Sequence, residues 1–243
     1  MPLSLSLKSR ERTLLHNVIN IVCGHEFRTP MNAIVGFASI MKQADTRDHG
    51  QERNEYAQYI MEASSRLMLL SERLHIWHRL YNGESFEKDN ITIDESIFNK
   101  IITDIAKTFP KVNYIISFCA DFHHFELKAS CLLVAQTIKE LTDNAFKFSI
   151  PGTMVHFEVT ITEGNINLKI TNHSEITTVK QLKGYESFNQ FNRNQFEQQG
   201  LGLGMDIARF AISAANGSIQ IDGVDYEHYS KIAVSIQIPA CSD

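Results

Sequence analysis

GHEFRTPMNAIVGF, residues 24–37, sets His25 beside Glu26, passes through Arg28, Thr29 and Pro30, and runs on into a hydrophobic repeat. A His-Glu pair first suggests zinc, because H-E-x-x-H places two histidines one helical turn apart. Here the residue four after His25 is Thr29, so the second ligand is missing and the zinc reading fails. The repeat itself is helical. Phe27, Met31, Ile34, Ala38 and Met41 recur at alternating spacings of four and three. After a polar stretch containing Gly50, the rhythm resumes at Tyr56, Ile60, Ala63, Leu67, Leu70, Leu74, Trp77 and Tyr81. Such a seam is the signature of a helical bundle.

Two helices cannot close a core by themselves, so the pattern predicts a helical hairpin that dimerises into a four-helix bundle. His25 lies two positions before Phe27, about 200° around a helix at about 100° per residue. If Phe27 faces the bundle, His25 faces solvent.

NGESFEKDN, residues 82–90, breaks the rhythm and marks a domain boundary, giving domains 1–86 and 87–243. Beyond it the period changes. ITI (91–93), VNYIISF (112–118), MVHFEVTIT (154–162), INLKIT (166–171), SIQI (218–221) and IAVSIQI (232–238) read as strands. Helical segments fall near 95–107, 130–148 and 203–215, the last stopped by Asn216-Gly217. Helices grouped with a largely antiparallel, hairpin-linked sheet predict a two-layer α/β sandwich, and the whole chain an α+β protein.

Composition narrows the function. The 243 residues carry a net charge of −5 and no basic block, which argues against nucleic acid as a partner. The apolar runs fall far short of a bilayer span, so these residues are expected to make no membrane contact. Cys23, Cys119, Cys131 and Cys241 are scattered without a C-x-x-C pair, the pattern of reduced thiols in a cytoplasmic protein. His75, His78, His123 and His124 lack companion ligands at metal spacing and read as surface residues.

Two stretches in the second half point to a nucleotide. In KELTDNAFKFS (139–149), Glu140, Asn144 and Lys147 share one helix face, beside an apolar stripe of Val134, Ile138, Leu141, Ala145 and Phe148. A carboxylate and a carboxamide can hold Mg²⁺ through oxygens, and the lysine can meet a phosphate. In QQGLGLGMDIARFAI (198–212), Gly200, Gly202 and Gly204 alternate and lead straight into a helix. Glycines let backbone approach an anion, and a helix start offers free N–H groups. The spacing is neither a P-loop nor a Rossmann fingerprint. Upstream, GYESFNQFNRNQFEQQ (184–199) is polar and studded with aromatics, like a loop that folds over a ligand.

These pieces, in this order from about residue 10 to 240, resemble the core of the two-component sensor histidine kinases. HEFRTP with its NAI continuation resembles the family's H box, ELTDNAFKF its N box, ESFNQF its F box and GLGLGM its second glycine box. The resemblance implies a dimerising phosphoacceptor domain, then an ATP-binding domain of the fold shared with certain chaperone and gyrase ATPases. It implies that His25 is phosphorylated by ATP, with Glu26 taking the imidazole proton and Arg28 steadying phosphate charge. Thr29 would orient water in the reverse, phosphatase reaction, and Pro30 would bend the helix. Glu140 and Asn144 would position Mg²⁺, Lys147 would meet the phosphates, and Gly200, Gly202 and Gly204 would carry the triphosphate. The implied partner is a response-regulator receiver domain.

The first glycine box, D-x-G-x-G after a strand, departs from the family. The strand phase of Ile166, Leu168 and Ile170 brings its aspartate to Asn172 and its glycines to Ser174 and Ile176. Asn172 keeps an acceptor for the adenine amino group but loses the charge, and charge-assisted bonds are roughly twice as strong as neutral ones. Two function classes remain: an ATP-dependent kinase with weakened base recognition, or an ATP-independent dimeric phosphotransfer or regulatory module.

Overall fold

The computed structural model of the chain describes residues 25–43, 50–120, 122, 124–175, 177–183 and 203–239. They form two compact units, one ending at His75 and the other beginning at Ile76.

The first unit holds helix α1 (His25–Gln43) and most of α2 (Gly50–Tyr81). On α1 the residues turned inward are Phe27, Pro30, Ile34, Phe37 and Met41, again at steps of three and four. Met31, at 53% exposure, and Ala38 lie outside, so the expected seam is rotated. Phe37 explains the rotation: its ring stacks on Tyr59 at 4.8 Å and on Tyr56 at 5.7 Å. Burying a phenyl ring is worth about 1.5–3 kcal/mol, and each aromatic pair adds about 0.5–1.5 kcal/mol. The methyl of Ala38 offers far less, so the aromatic residue takes the inner position. On α2, Ala63, Leu70 and Trp77 are buried as expected, but Leu80 rather than Tyr81 closes the stripe. Tyr81 instead stacks on Trp77 at 5.1 Å.

The predicted break at Asn82-Gly83 is a Schellman stop. Glu84 N–H donates to Arg79 C=O at 3.0 Å and Gly83 N–H to Leu80 C=O at 3.1 Å. Gly83 has φ +68°, a conformation that glycine adopts without the Cβ penalty.

In the second unit, β1 (Asp89–Asp94) pairs antiparallel with β3 (His124–Ala129) in a separate ribbon. A five-stranded sheet has the order β2-β4-β5-β7-β6, built from β2 (Asn113–Phe118), β4 (Met154–Thr162), β5 (Asn165–Ser174), β6 (Ser218–Asp225) and β7 (Ser230–Pro239). Only β2 and β4 run parallel; the other neighbours are antiparallel. Strict alternation buries Val155, Phe157 and Val159 of β4, Ile166, Leu168 and Ile170 of β5, and Ile232, Ile236 and Ile238 of β7. The intervening His156, Glu158 and Lys169 face solvent. Helices α3 (Glu95–Ala106), α4 (Cys131–Lys147) and α6 (Gly204–Ala214) bring their apolar stripes to the same core, which makes the two-layer sandwich.

β3 is absent from the strands that the sequence predicts. Its alternation of Phe125, Leu127 and Ala129 with polar neighbours is readable, but the run is short and directly abuts α4. The five-residue α5 (Val179–Lys183) is likewise beyond what the periodicity predicts.

Candidate functional site

α4 carries the first half of the site. Val134, Ile138, Leu141 and Ala145 are buried at helical spacing, which fixes the helix's rotation on the sheet. Phe146 is buried with them, while Phe148 is half-exposed at the helix end. With the apolar stripe inward, Glu140, Asn144 and Lys147 fall on the neighbouring face. Glu140 is nonetheless only 2% exposed. Its Oε1 accepts a hydrogen bond from Gln136 Nε2 at 2.7 Å. Asn144 and Lys147 are half-buried, and the Lys147 ammonium lies 5.6 Å from the Phe148 ring centre.

The second half is the start of α6. Gly204 is its first residue, and a Cβ built there would stand 2.6 Å from Glu140 Oε2 and 3.2 Å from Asn144 Nδ2. Real Cβ atoms do not approach that closely, so glycine is what allows this backbone to lie against the carboxylate and carboxamide. Leu203, the residue before α6, has no side-chain oxygen and makes no capping bond. Asp206, in the first turn of α6 and buried, already places a carboxylate at that end. A negative group is favoured at that end by the helix dipole.

The donor set suits one kind of cation. Among the described residues no three His, Cys, Asp or Glu gather as a metal cluster. One buried carboxylate and one amide suit Mg²⁺, which is commonly held by one or two protein oxygens, waters and phosphates rather than by an all-protein cage. Glu140 and Asn144 thus fit a magnesium nucleotide.

Asn172 lies on β5, 5% exposed, in the same buried phase as Ile166, Leu168 and Ile170. The strand continues through Ser174, whose Oγ accepts from Thr177 N–H at 3.1 Å and is thereby occupied in shaping the exit from β5. Gly200, Gly202, Ile176 and the ESFNQF segment lie outside the described residues.

In the first unit, α1 begins at His25, so His25 and Thr29 stand about 40° apart around the helix and share a face. Arg28 and Thr29 are exposed there. Pro30 lies inside the helix and is buried. It has no N–H, so the carbonyl of Glu26 is deprived of its helical donor. His75, His78 and His124 are exposed or half-exposed.

Sequence reasoning also misses two side chains of the second unit. One is Gln136, whose signal is its place four residues before Glu140. The other is Asp225, which has no local signal at all. Its Oδ1 accepts from Val179 N–H at 2.8 Å and Ser230 Oγ at 2.7 Å, tying the start of α5 to the β6–β7 hairpin. These bonds, that from Ser230 foremost and that from Val179 next, hold the Asp225 carboxyl below its ordinary value of 3.8.

The chain combines a helical hairpin bearing HEFRTP with a sandwich domain in which a carboxylate, an amide and a glycine meet. Residues 23–79 match the His Kinase A phospho-acceptor domain, and residues 131–240 match the histidine kinase-, DNA gyrase B- and HSP90-like ATPases. The chain carries the phosphoacceptor and ATPase domains of a histidine kinase core. It is 25% identical over 204 residues to the sensor histidine kinase YvrG of Bacillus subtilis, covering 82% of this chain and 34% of that protein. Its fold is similar to that of the Acinetobacter baumannii histidine kinase AdeS, with a TM-score of 0.62, 20% identity, and 90% and 98% of the two chains covered. The fold is also similar to histidine kinase ThkA in its complex with the response regulator TrrA, with a TM-score of 0.57, 17% identity, and 96% and 64% covered. The chain spans between about a third and a half of the length of the first relatives it matches. Among the described residues no helix is long and apolar enough to cross a membrane.

Proposed function

We propose that this chain is a homodimeric, cytoplasmic histidine kinase core that phosphorylates His25 from ATP and passes the phosphoryl group to a response-regulator aspartate. Dephosphorylation of that aspartate is its second activity. The observation that carries the reading is the meeting of Glu140 and Asn144 with Gly204, groups far apart in sequence that converge where a magnesium nucleotide would be held. Residues 1–86 serve as the phosphoacceptor domain and 87–243 as the ATP-binding domain.

Each role rests on residue chemistry. Lys147 meets the phosphates, Gly200, Gly202 and Gly204 carry the triphosphate on backbone N–H groups, and Asn172 accepts from the adenine amino group. A Mg²⁺ ion bound with the nucleotide would neutralise charge on the phosphate oxygens. His25 attacks the γ-phosphorus through an imidazole nitrogen; a nitrogen–phosphorus bond forms as the bond to the ADP oxygen breaks. Glu26 takes the imidazole proton, and Arg28 balances charge on the transferred group. Thr29, one turn from His25, orients a water that attacks the regulator's aspartyl phosphate, releasing inorganic phosphate and the free aspartate.

Two observations support the partners. Met31 and Val35 on α1, and Met61 and Met68 on α2, are between 53% and 70% exposed, an apolar surface suited to a second copy of the hairpin. The likeness to ThkA, a kinase seen with a response regulator, supports a receiver domain as a partner. The free thiols of Cys119 and Cys131 suit a reducing compartment.

The second reading, an ATP-independent phosphotransfer or regulatory module, is favoured by one observation: Asn172 and Ser174 replace the charged, glycine-flexible base site, and Ser174 is buried and hydrogen-bonded. The discriminating experiment incubates the protein with Mg²⁺ and γ-labelled ATP beside a His25→Gln variant. Acid-labile label on the unaltered protein alone supports the kinase. A folded dimer that takes no label from ATP, yet takes it from a phosphorylated receiver, supports the module.

A further inference from the structure

Gln136 stands one turn before Glu140 on α4 and donates through Nε2 to Glu140 Oε1 at 2.7 Å. Glu140 is 2% exposed, so Oε1 has little recourse to water. The opposite oxygen, Oε2, is the one that a Cβ at Gly204 would meet at 2.6 Å. The two oxygens therefore have different duties, one held along α4 and one turned to the start of α6. A glutamate side chain has several rotatable bonds, and fixing one oxygen selects a single direction for the other. The donor is also a neutral amide. A lysine or arginine at 136 would orient the carboxylate equally well, but would offset the negative charge a cation requires. An ordinary surface pair on a helix would have both partners in water, and this one does not.

We propose that Gln136 is a positioning residue for the magnesium nucleotide: it holds the Glu140 carboxylate with Oε2 aimed at the start of α6, so that Mg²⁺ meets a preset oxygen. The proposal deepens, and rests on, the assignment of Glu140 to Mg²⁺. Partners that orient a metal-binding group change metal affinity by about 10–100-fold when removed, and a cation that keeps several waters belongs at the lower end of that range.

The test titrates MgCl₂ into the full chain with a fluorescent ATP analogue and reads the half-saturating Mg²⁺ for nucleotide binding. Gln136→Leu, close in volume but without a donor, should raise that concentration about tenfold. Nucleotide affinity at saturating Mg²⁺ and the melting temperature without nucleotide should stay within error of the unaltered protein. Gln136→His, which returns an N–H at similar reach, should restore the Mg²⁺ requirement to within about twofold of the original. If Gln136→Leu leaves the Mg²⁺ requirement unchanged while Glu140→Gln raises it, the positioning role is overturned. Equal weakening by Gln136→Leu at every Mg²⁺ concentration, with a lower melting temperature, would mean that the bond is only structural. If Glu140→Gln itself leaves the Mg²⁺ requirement unchanged, the assignment of Glu140 fails and this proposal fails with it.

Discussion

Gly204 concentrates the chemistry of the second unit in a single missing atom. A methyl group there would stand 2.6 Å from Glu140 Oε2, closer than real Cβ atoms come to any neighbour. Gly204→Ala must push α6 from α4 or turn the carboxylate away. The carboxylate is the end of a flexible side chain and can turn aside at small cost in stability, and the displaced carboxylate should weaken ATP binding by a larger factor than the stability loss explains. Calorimetric titration at a temperature where the variant remains folded checks this; unchanged ATP affinity would remove Gly204 from the site. Gly217 is a glycine for a different reason. A Cβ there would meet the Gln237 carbonyl at 2.3 Å, so the glycine lets the turn between α6 and β6 lie against β7. The left-handed stop itself falls on Asn216, at φ +57°, a residue type that tolerates it.

At the scale of elements, the tie between α5 and the β6–β7 hairpin is open to pH. Asp225 accepts from both sides of it, and those bonds lower the carboxyl's pKa below 3.8. A group whose pKa is depressed in the folded state contributes stability above its unfolded value and loses it as pH falls through the folded value. The stability gap between the natural protein and Asp225→Asn should therefore be full at neutral pH, hold to about pH 5, and shrink below 3.8. Denaturant unfolding at several pH values measures it, and a gap that does not vary with pH would show that the charge of Asp225 contributes nothing. Strands with clean alternation, such as β4 and β7, are legible in the sequence because one face meets helices and the other meets water. β3 is not, since a short ribbon strand beside a helix start carries too few residues to establish a period. The rotation of α1 is illegible for another reason: Met31 and Phe37 both belong to acceptable stripes, and only the rings of Tyr56 and Tyr59 on α2 choose between them.

At the scale of the whole molecule, the hairpin leaves apolar surface that its own two helices do not cover. Met61 is 70% and Met68 65% exposed on α2, at a spacing that returns to the same face. Replacing both by glutamate should convert a dimer to monomers at micromolar concentration, since four like charges would be brought into one interface. Light scattering coupled to gel filtration reads the mass directly. A dimer that persists would place the self-association surface elsewhere on the hairpin.

The order of boxes, the change of period at residue 82 and the identity of the phosphoacceptor segment were determined by sequence alone. Local physics suffices for the change of period, because helical and strand periods, glycine stops and i, i+4 spacings are properties of contiguous residues. The boxes and the phosphoacceptor segment were legible through their resemblance to a known family. Tertiary structure alone decided that Glu140 is buried rather than solvated, that Gly204 packs against it, and that Asp225 reaches back to α5. Each of those depends on how closely two distant segments approach. That distance is set by the packing of α4 and α6 on a common sheet, which no contiguous stretch encodes.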